Sequence, residues 1–483
     1  MIDRTTESWI LTAALCLLCG GCVPYLGKTA ARPVDTSVPE SFGASKDETN
    51  SARLAVSKFF RDPALVKLVE QALDNNQELN IVQQEIAIAN SEIMARQGEY
   101  LPRLGIRTEA GIEKVGEFTS QGASDAANEI KPGRRVPQKL QSYGLGFAAS
   151  WEVDIWNKLR NATKAAFYRY LATVEGKKFM ITRLVAEIAR SYFELEALDN
   201  QLDVLRRNIE IQTAALDVVR VQKQAARVTE LAVQRFEAEV LRSRSRVFDV
   251  QQEIVQTENR INYLVGRFPQ RVERNSQRFA SLRPSDVATG VPTQLLENRP
   301  DLKRAEMGLA AAKLDVSVAR ARFYPSLSIE GSAGLEAFEL NSLKALPESL
   351  FYNAFANVTA PLLNRKALTA SYRVANSKQM QAVLTYEQTI RKAFAEAANQ
   401  IAMIANLGGK YQLKQQQVDI LRRAIDVSSQ LFSSARADYM EVLLTRRDVL
   451  EAEMELIETK KRQMSAMVNM YQALGGGWRE GAE

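Results

Sequence analysis

Histidine is missing from all 483 residues of this chain. That absence excludes Ser-His and Cys-His nucleophiles and every histidine-ligated metal centre. Cysteine is nearly absent as well: Cys16, Cys19 and Cys22 are the only three, all close to the N-terminus. Cleavage ahead of Cys22 would leave one thiol and no possible internal disulfide. Aromatic residues make up 7%, which suits long helices better than an all-β fold. A dominant charge is lacking too. The net charge is +6 with 25% charged residues, and bases alternate with acids, so nucleic-acid binding has little support. After Cys22 no apolar stretch approaches the ~20 residues of a membrane-spanning helix. Any membrane crossing must therefore be made of strands.

The first residues do carry an apolar run, from Trp9 through Leu18 behind Arg4. It is too short to span a bilayer and has the form of a signal peptide's central region. The following Cys19-Gly20-Gly21-Cys22 resembles the lipobox of bacterial lipoproteins, with Cys19 standing where leucine is usual. This implies cleavage before Cys22 and a covalent lipid there, N-acyl on the new amino group and S-diacylglycerol on the thiol. No other cofactor is expected.

The chain also repeats itself. At an offset of 223 residues, Asn75 falls on Asn298, Leu79 on Leu302, Pro102 on Pro325, and Ala110-Gly111 on Ala333-Gly334. Further along the offset is 209: Leu159 falls on Leu368, Glu187 on Glu396 and Gly266 on Gly475. The 14-residue difference places an insertion in the first copy, between about Gly111 and Leu159. Two copies differing mainly in one loop indicate a duplicated fold.

Each copy contains two runs of about ten residues with strand alternation, at 103–112 and 143–153, then at 326–335 and 351–360. Tyr143, Leu145, Phe147, Ala149, Trp151 and Val153 share one face; Gly144, Gly146, Ala148 and Ser150 share the other. The fourth run alternates less cleanly. Such runs fit tilted membrane strands, and they fit a half-buried soluble sheet equally well.

The helical pattern that follows is what shifts the balance. From Leu184 apolar residues recur at 3–4 spacing as far as Val219, interrupted at Ser191 and Gln212, and again from Val233 to Leu264, interrupted at Ser243 and Thr257. These heptads mark coiled-coil seams. They predict antiparallel hairpins over 158–265 and 366–474, with Thr229 placed to cap the returning helix of the first. Glu152 and Asp154, two apart and so on the same side of a strand, read as interface charges. Gly475-Gly476-Gly477 follows a helix without a preceding strand and reads as a helix stop.

FFRDPALVKLVEQALDNNQEL (59–79), SWEVDIWNKLR (150–160), GVPTQLLENRPDL (290–302), ARARFYPSLSIEGSAG (319–334) and VNMYQALGGGW (468–478) together carry a resemblance. The chain resembles the TolC-like outer membrane factors, in their NodT/OprM-like lipoprotein branch, over nearly its whole mature length. APLLNRKALTASYRVA departs from the family, which commonly has glycine near Lys366.

The resemblance implies an α+β membrane protein. Its duplicated unit, two transmembrane β-strands and a long antiparallel helical hairpin, would trimerise into a 12-stranded β-barrel continued by a periplasmic α-helical tube. The expected divisions are a signal peptide (1–21), a lipid-anchored tether (22–58), a first repeat (59–267), an equatorial linker (268–292), a second repeat (293–477) and a C-terminal tail (478–483). Loops 113–141 and 336–349 would be extracellular. The implied function is the exit duct of a tripartite efflux pump in the cell outer membrane, not an enzyme. Its partners would be two further copies, an inner-membrane resistance-nodulation-division pump, a periplasmic adaptor and outer membrane lipids. A type I secretion duct shares the fold with other partners, and a lipid-anchored coiled-coil scaffold would leave the strands without a purpose. Trp151 and Trp156 are expected at the membrane boundary, and Cys22 at the lipid. Asp438, with Arg436 and Arg227 as tethers, is expected to gate the periplasmic tips.

Overall fold

The computed structural model describes residues 32–42, 49–282, 287–363, 365–434 and 436–479. Cys16, Cys19 and the lipid site expected at Cys22 lie outside these residues. Helices α1 (Pro63–Asn75) and α2 (Gln77–Glu99) lead into strands β1 (Arg103–Glu113) and β2 (Leu140–Val153), then into α3 (Lys158–Gln224) and α4 (Glu230–Val265). The second copy repeats the order with α5 (Pro300–Ala321), β3 (Ser326–Ala337), β4 (Leu350–Thr359), α6 (Lys366–Ser433) and α7 (Tyr439–Ala473). The predicted strands at 103–112, 143–153, 326–335 and 351–360 can be set beside β1 to β4 directly.

The chain divides into two compact units, and each draws on both copies. One contains Ala87–Tyr170 and Met307–Val383; the other contains Val34–Ile86, Leu171–Glu306 and Leu384–Glu483.

In the first unit the four strands form one antiparallel sheet in the order β1–β2–β3–β4. Pairing runs through Ile106↔Phe147, Phe147↔Ala333 and Ala333↔Tyr352. Gly146 pairs directly with Gly334, and a Cβ on either would collide with the carbonyl of Ala333 or Leu145 on the facing strand. The first-copy insertion, between β1 and β2, folds into a short helix (Ser120–Ala127) and a two-stranded ribbon (Glu129–Lys131 with Arg134–Arg135). The ribbon clasps the β3–β4 loop. Lys131 and Arg134 lie 5.4 and 5.8 Å from the ring centroid of Phe338, and Arg134 pairs with Glu339 at 2.5 Å.

The second unit is built on α3 from Leu171 onward and α6 from Leu384 onward, the greater parts of helices 67 and 68 residues long. Its core gathers Leu65, Leu68 and Val69 of α1 with Ile188, Tyr192 and Leu195 of α3 and Val468 and Tyr471 of α7. Burying such side chains contributes roughly 2 kcal/mol each. The seam interruptions are themselves buried: Ser191, Gln212, Ser243 and Thr257 are at most 4% exposed. Two of them meet, with the Ser243 hydroxyl donating to Gln212 Oε1 at 2.9 Å. Thr229 occupies the N-cap of α4, but its hydroxyl makes no capping bond; its main-chain carbonyl accepts from Ala232 instead.

The duplication extends to single atoms here. Gly266 ends α4 at φ 80° and Gly475 follows α7 at φ 87°, a conformation open to glycine because it has no Cβ. A Cβ on Gly266 would strike the Asn75 carbonyl, and one on Gly475 the Asn298 carbonyl. One residue on, Asn76 Nδ2 donates to the Leu264 carbonyl at 2.8 Å, while Arg299 Nη1 donates to the Ala473 carbonyl at 3.0 Å.

Before α1, Asp35 N donates to buried Glu387 at 3.1 Å, and Phe42 stacks on Phe394 with centroids 5.5 Å apart, both on α6.

Candidate functional site

Strand register sorts the sheet's side chains into two faces. One face carries Leu104, Ile106 and Thr108 of β1, Leu145, Phe147 and Trp151 of β2, and Leu327 and Ile329 of β3, ending on Tyr352 and Val358 of β4. These side chains are open to solvent in a single chain: Ile106 is 73% exposed, Phe147 58% and Tyr352 82%. The opposite face carries Arg103, Arg107, Glu109, Ser150, Glu152, Ser328, Glu330, Ser332, Glu336 and Asn353. Two rings break its polarity, Phe351 opposite Gly334 and Phe355 opposite Glu330. That is why the fourth run alternated less cleanly. A soluble sheet would cover its apolar face with helices; among the described residues no helix covers this one.

The sheet-to-helix junction corrects one reading. β2 ends at Val153, so Asp154 is not a strand residue facing the same way as Glu152. Its carboxylate accepts from the amides of Leu159 and Arg160 at 3.0 and 2.9 Å, satisfying the free N–H groups that begin α3. Glu152 pairs with Lys158 at 2.5 Å. Trp151 Nε1 donates to the Tyr100 carbonyl at 3.0 Å, and Trp156 Nε1 to the Pro325 carbonyl at 2.7 Å. The Trp156 ring stacks on Tyr324 with centroids 4.7 Å apart.

At the hairpin turns, Arg227, Arg436 and Asp438 are all exposed. Asp438 stands at the N-cap of α7 without a side-chain capping bond, so its carboxylate is not consumed by the helix end. Among the described residues no ion pair joins it to Arg227 or Arg436 within the chain. The turn is footed on a seam cluster of Leu216, Val219, Val233 and Phe236, against which Tyr439 and Leu443 pack.

Sequence reasoning missed two buried ionic groups, because isolated charges leave no periodic signal. Arg299, within the LLENRPDL motif, is 5% exposed and held by Asp301 at 2.9 and 2.6 Å and Glu396 at 2.8 Å. In the linker, Arg274 clamps onto Asp199 at 2.6 Å and onto Glu258. Beside that clamp Glu196 is 1% exposed, and its Oε2 has no hydrogen-bond partner. Burial, then the nearby Asp62 and Asp199 charges, pushes its carboxyl up to about 8.

A duplicated chain pairing a bare two-faced sheet with long seamed hairpins has known counterparts. A family profile described as outer membrane efflux protein matches residues 68–267 and 291–476. The chain belongs to the outer membrane efflux protein family. It is 28% identical over 469 residues to the pyoverdine export outer membrane protein OpmQ of Pseudomonas aeruginosa, covering 96% of each chain. It is 25% identical over 480 residues to the probable outer membrane lipoprotein SilC of Salmonella typhimurium, covering 98% of this chain and 99% of that one. Its fold is that of the MtrE outer membrane channel of Neisseria gonorrhoeae, solved in its open state, with a TM-score of 0.81 at 21% identity, covering 95% and 98%. As a member of this family the chain is an outer membrane efflux channel, a conduit rather than an enzyme.

Proposed function

We propose that three copies close their sheets into a twelve-stranded barrel, and that their hairpins continue it as a periplasmic tube serving a tripartite efflux pump. The observation that carries this is the sheet's pair of open edges. β1 and β4 each pair on one side only, while the apolar face beside them is bare. In lipid every unpaired edge amide costs several kcal/mol, and four strands are too few to close on themselves. Three copies supply an even number within the range of outer membrane barrels. The apolar face would then meet lipid and the polar face the lumen.

Cys22 would carry the lipid anchor; that the relative SilC bears the name of a lipoprotein supports this. An inner-membrane resistance-nodulation-division pump and a periplasmic adaptor would be the partners, in line with the export role in OpmQ's name. Trp151 and Trp156 would lie at the membrane boundary. Asp438 would form the resting gate, three carboxylates about the axis making a cation-attracting ring, with Arg436 and Arg227 able to tie neighbouring tips.

Protein purified in mild detergent should have a mass three times that of the mature chain and form conducting pores in planar bilayers. A folded monomer that stays in the membrane fraction would defeat the closure argument.

A further inference from the structure

In the first unit a half-open cavity of about 360 Å³ lies at the strand-to-helix junction. Trp156, Tyr324, Arg322, Lys158, Ser326 and Thr359 line it. Its aromatic wall is fixed, because the Trp156 indole is hydrogen-bonded to the Pro325 carbonyl and stacked on Tyr324. Four charges border it, two of each sign. Glu152 and Lys158 pair with each other, and Asp154 holds the start of α3. Arg322 is exposed and forms no ion pair among the described residues. An apolar rim stands beside this polar pocket. Ile155, Leu362 and Leu363 are 52%, 59% and 89% exposed, and Val153, Leu327 and Val358 form the last row of the sheet's apolar face.

A charged pocket of net zero charge next to a bare apolar wall has the chemistry of a zwitterionic amphiphile. We propose that this cavity binds a phospholipid with a phosphoethanolamine headgroup. The phosphate accepts from Arg322, whose planar fork matches phosphate oxygens, with Lys158 beside it. The ammonium lies toward Asp154, past the end of β2 at Val153. The acyl chains run along Ile155, Leu362 and Leu363 onto the apolar face, and the Trp156–Tyr324 pair sits at headgroup level, where amphipathic rings are favoured. A purely anionic headgroup brings no cation to offset the two carboxylates, so the site discriminates against it. The assignment rests on the channel reading, which gives the apolar face to lipid.

The test is native mass spectrometry of the detergent-solubilised protein with added dioleoylphosphatidylethanolamine, dioleoylphosphatidylglycerol or inorganic phosphate. The ethanolamine lipid should remain bound through detergent removal, one per chain. Arg322→Ala should lower its retention about tenfold, the factor that one charge-assisted contact contributes. Arg322→Lys should fall between, and both variants should keep the wild-type oligomer mass and helical circular dichroism. Equal retention by Arg322→Ala overturns the site. So does equal retention of phosphatidylglycerol, and so does displacement of the lipid by inorganic phosphate, which would make it a simple anion site. Conducting trimers that hold no ethanolamine lipid sink this inference and leave the channel standing. A lipid-binding monomer does the reverse.

Discussion

Replacing Glu196 with glutamine should make the protein more stable at neutral pH and change nothing in acid. The carboxyl is buried on α3, one of its oxygens lacks a partner, and its neighbours Asp62 and Asp199 are acidic. It therefore keeps its proton up to about pH 8, whereas the ordinary value is 4.5. Below 4.5 both folded and unfolded chains are protonated and stability is indifferent to pH. Between 4.5 and about 8 only the unfolded chain releases the proton, so stability falls as pH rises; above that range the loss levels off. Each pH unit in the window costs about 1.4 kcal/mol, which reaches roughly 3 kcal/mol at pH 7. Glu196→Gln keeps the shape and removes the titration. Melting of the detergent-solubilised protein, followed by circular dichroism at one scan rate from pH 4.5 to 8.5, measures the effect. The two proteins should melt together at pH 4.5 and diverge by several degrees at pH 7.5, with the variant higher. Parallel curves across the whole range would refute a buried neutral carboxyl, as would a variant that melts lower throughout.

Cys22→Ser should abolish labelling by a palmitate analogue; label persisting on that variant would place the lipid elsewhere. Phe147→Arg, on the sheet's apolar face, should cost roughly 2–4 kcal/mol near the bilayer midplane and reduce the protein recovered in the membrane fraction; unchanged recovery would reverse the assignment of faces. Asp438→Ala combined with Arg436→Ala should raise resting conductance in planar bilayers and sensitise cells to vancomycin. Wild-type conductance in that pair, with insertion intact, would put the gate elsewhere.

What could be read in the sequence was whatever has a period. Alternation along 103–112 and 326–335 announced strands because one face of each is apolar and the other is not. The heptads from Leu184 announced hairpins for the same reason. Their interruptions at Gln212 and Ser243 looked like breaks, yet the structure joins them by a hydrogen bond inside the seam, a long-range partnership that spacing cannot reveal. Asp154 was grouped with Glu152 by its spacing of two, which does not show that beyond the strand end at Val153 its carboxylate turns to the helix start. Arg274 and Arg299 gave no signal, since a buried guanidinium is defined by carboxylates brought from distant segments. Arg322 and Tyr324 belonged to a motif recognised as a whole, in which nothing marked those two side chains apart from their neighbours.

The matched contacts of the two copies differ in charge. Where the first copy secures the carbonyl ending its hairpin with the neutral amide of Asn76, the second uses the guanidinium of Arg299, itself held by Asp301 and Glu396. The amide carries no charge of its own, whereas the guanidinium depends on both carboxylates as the countercharge of a buried cation. Removing either, as in Asp301→Asn or Glu396→Gln, should therefore loosen the second hairpin's footing while leaving the first in place. In a trimer, six hairpins that share one architecture would respond as two alternating sets of three.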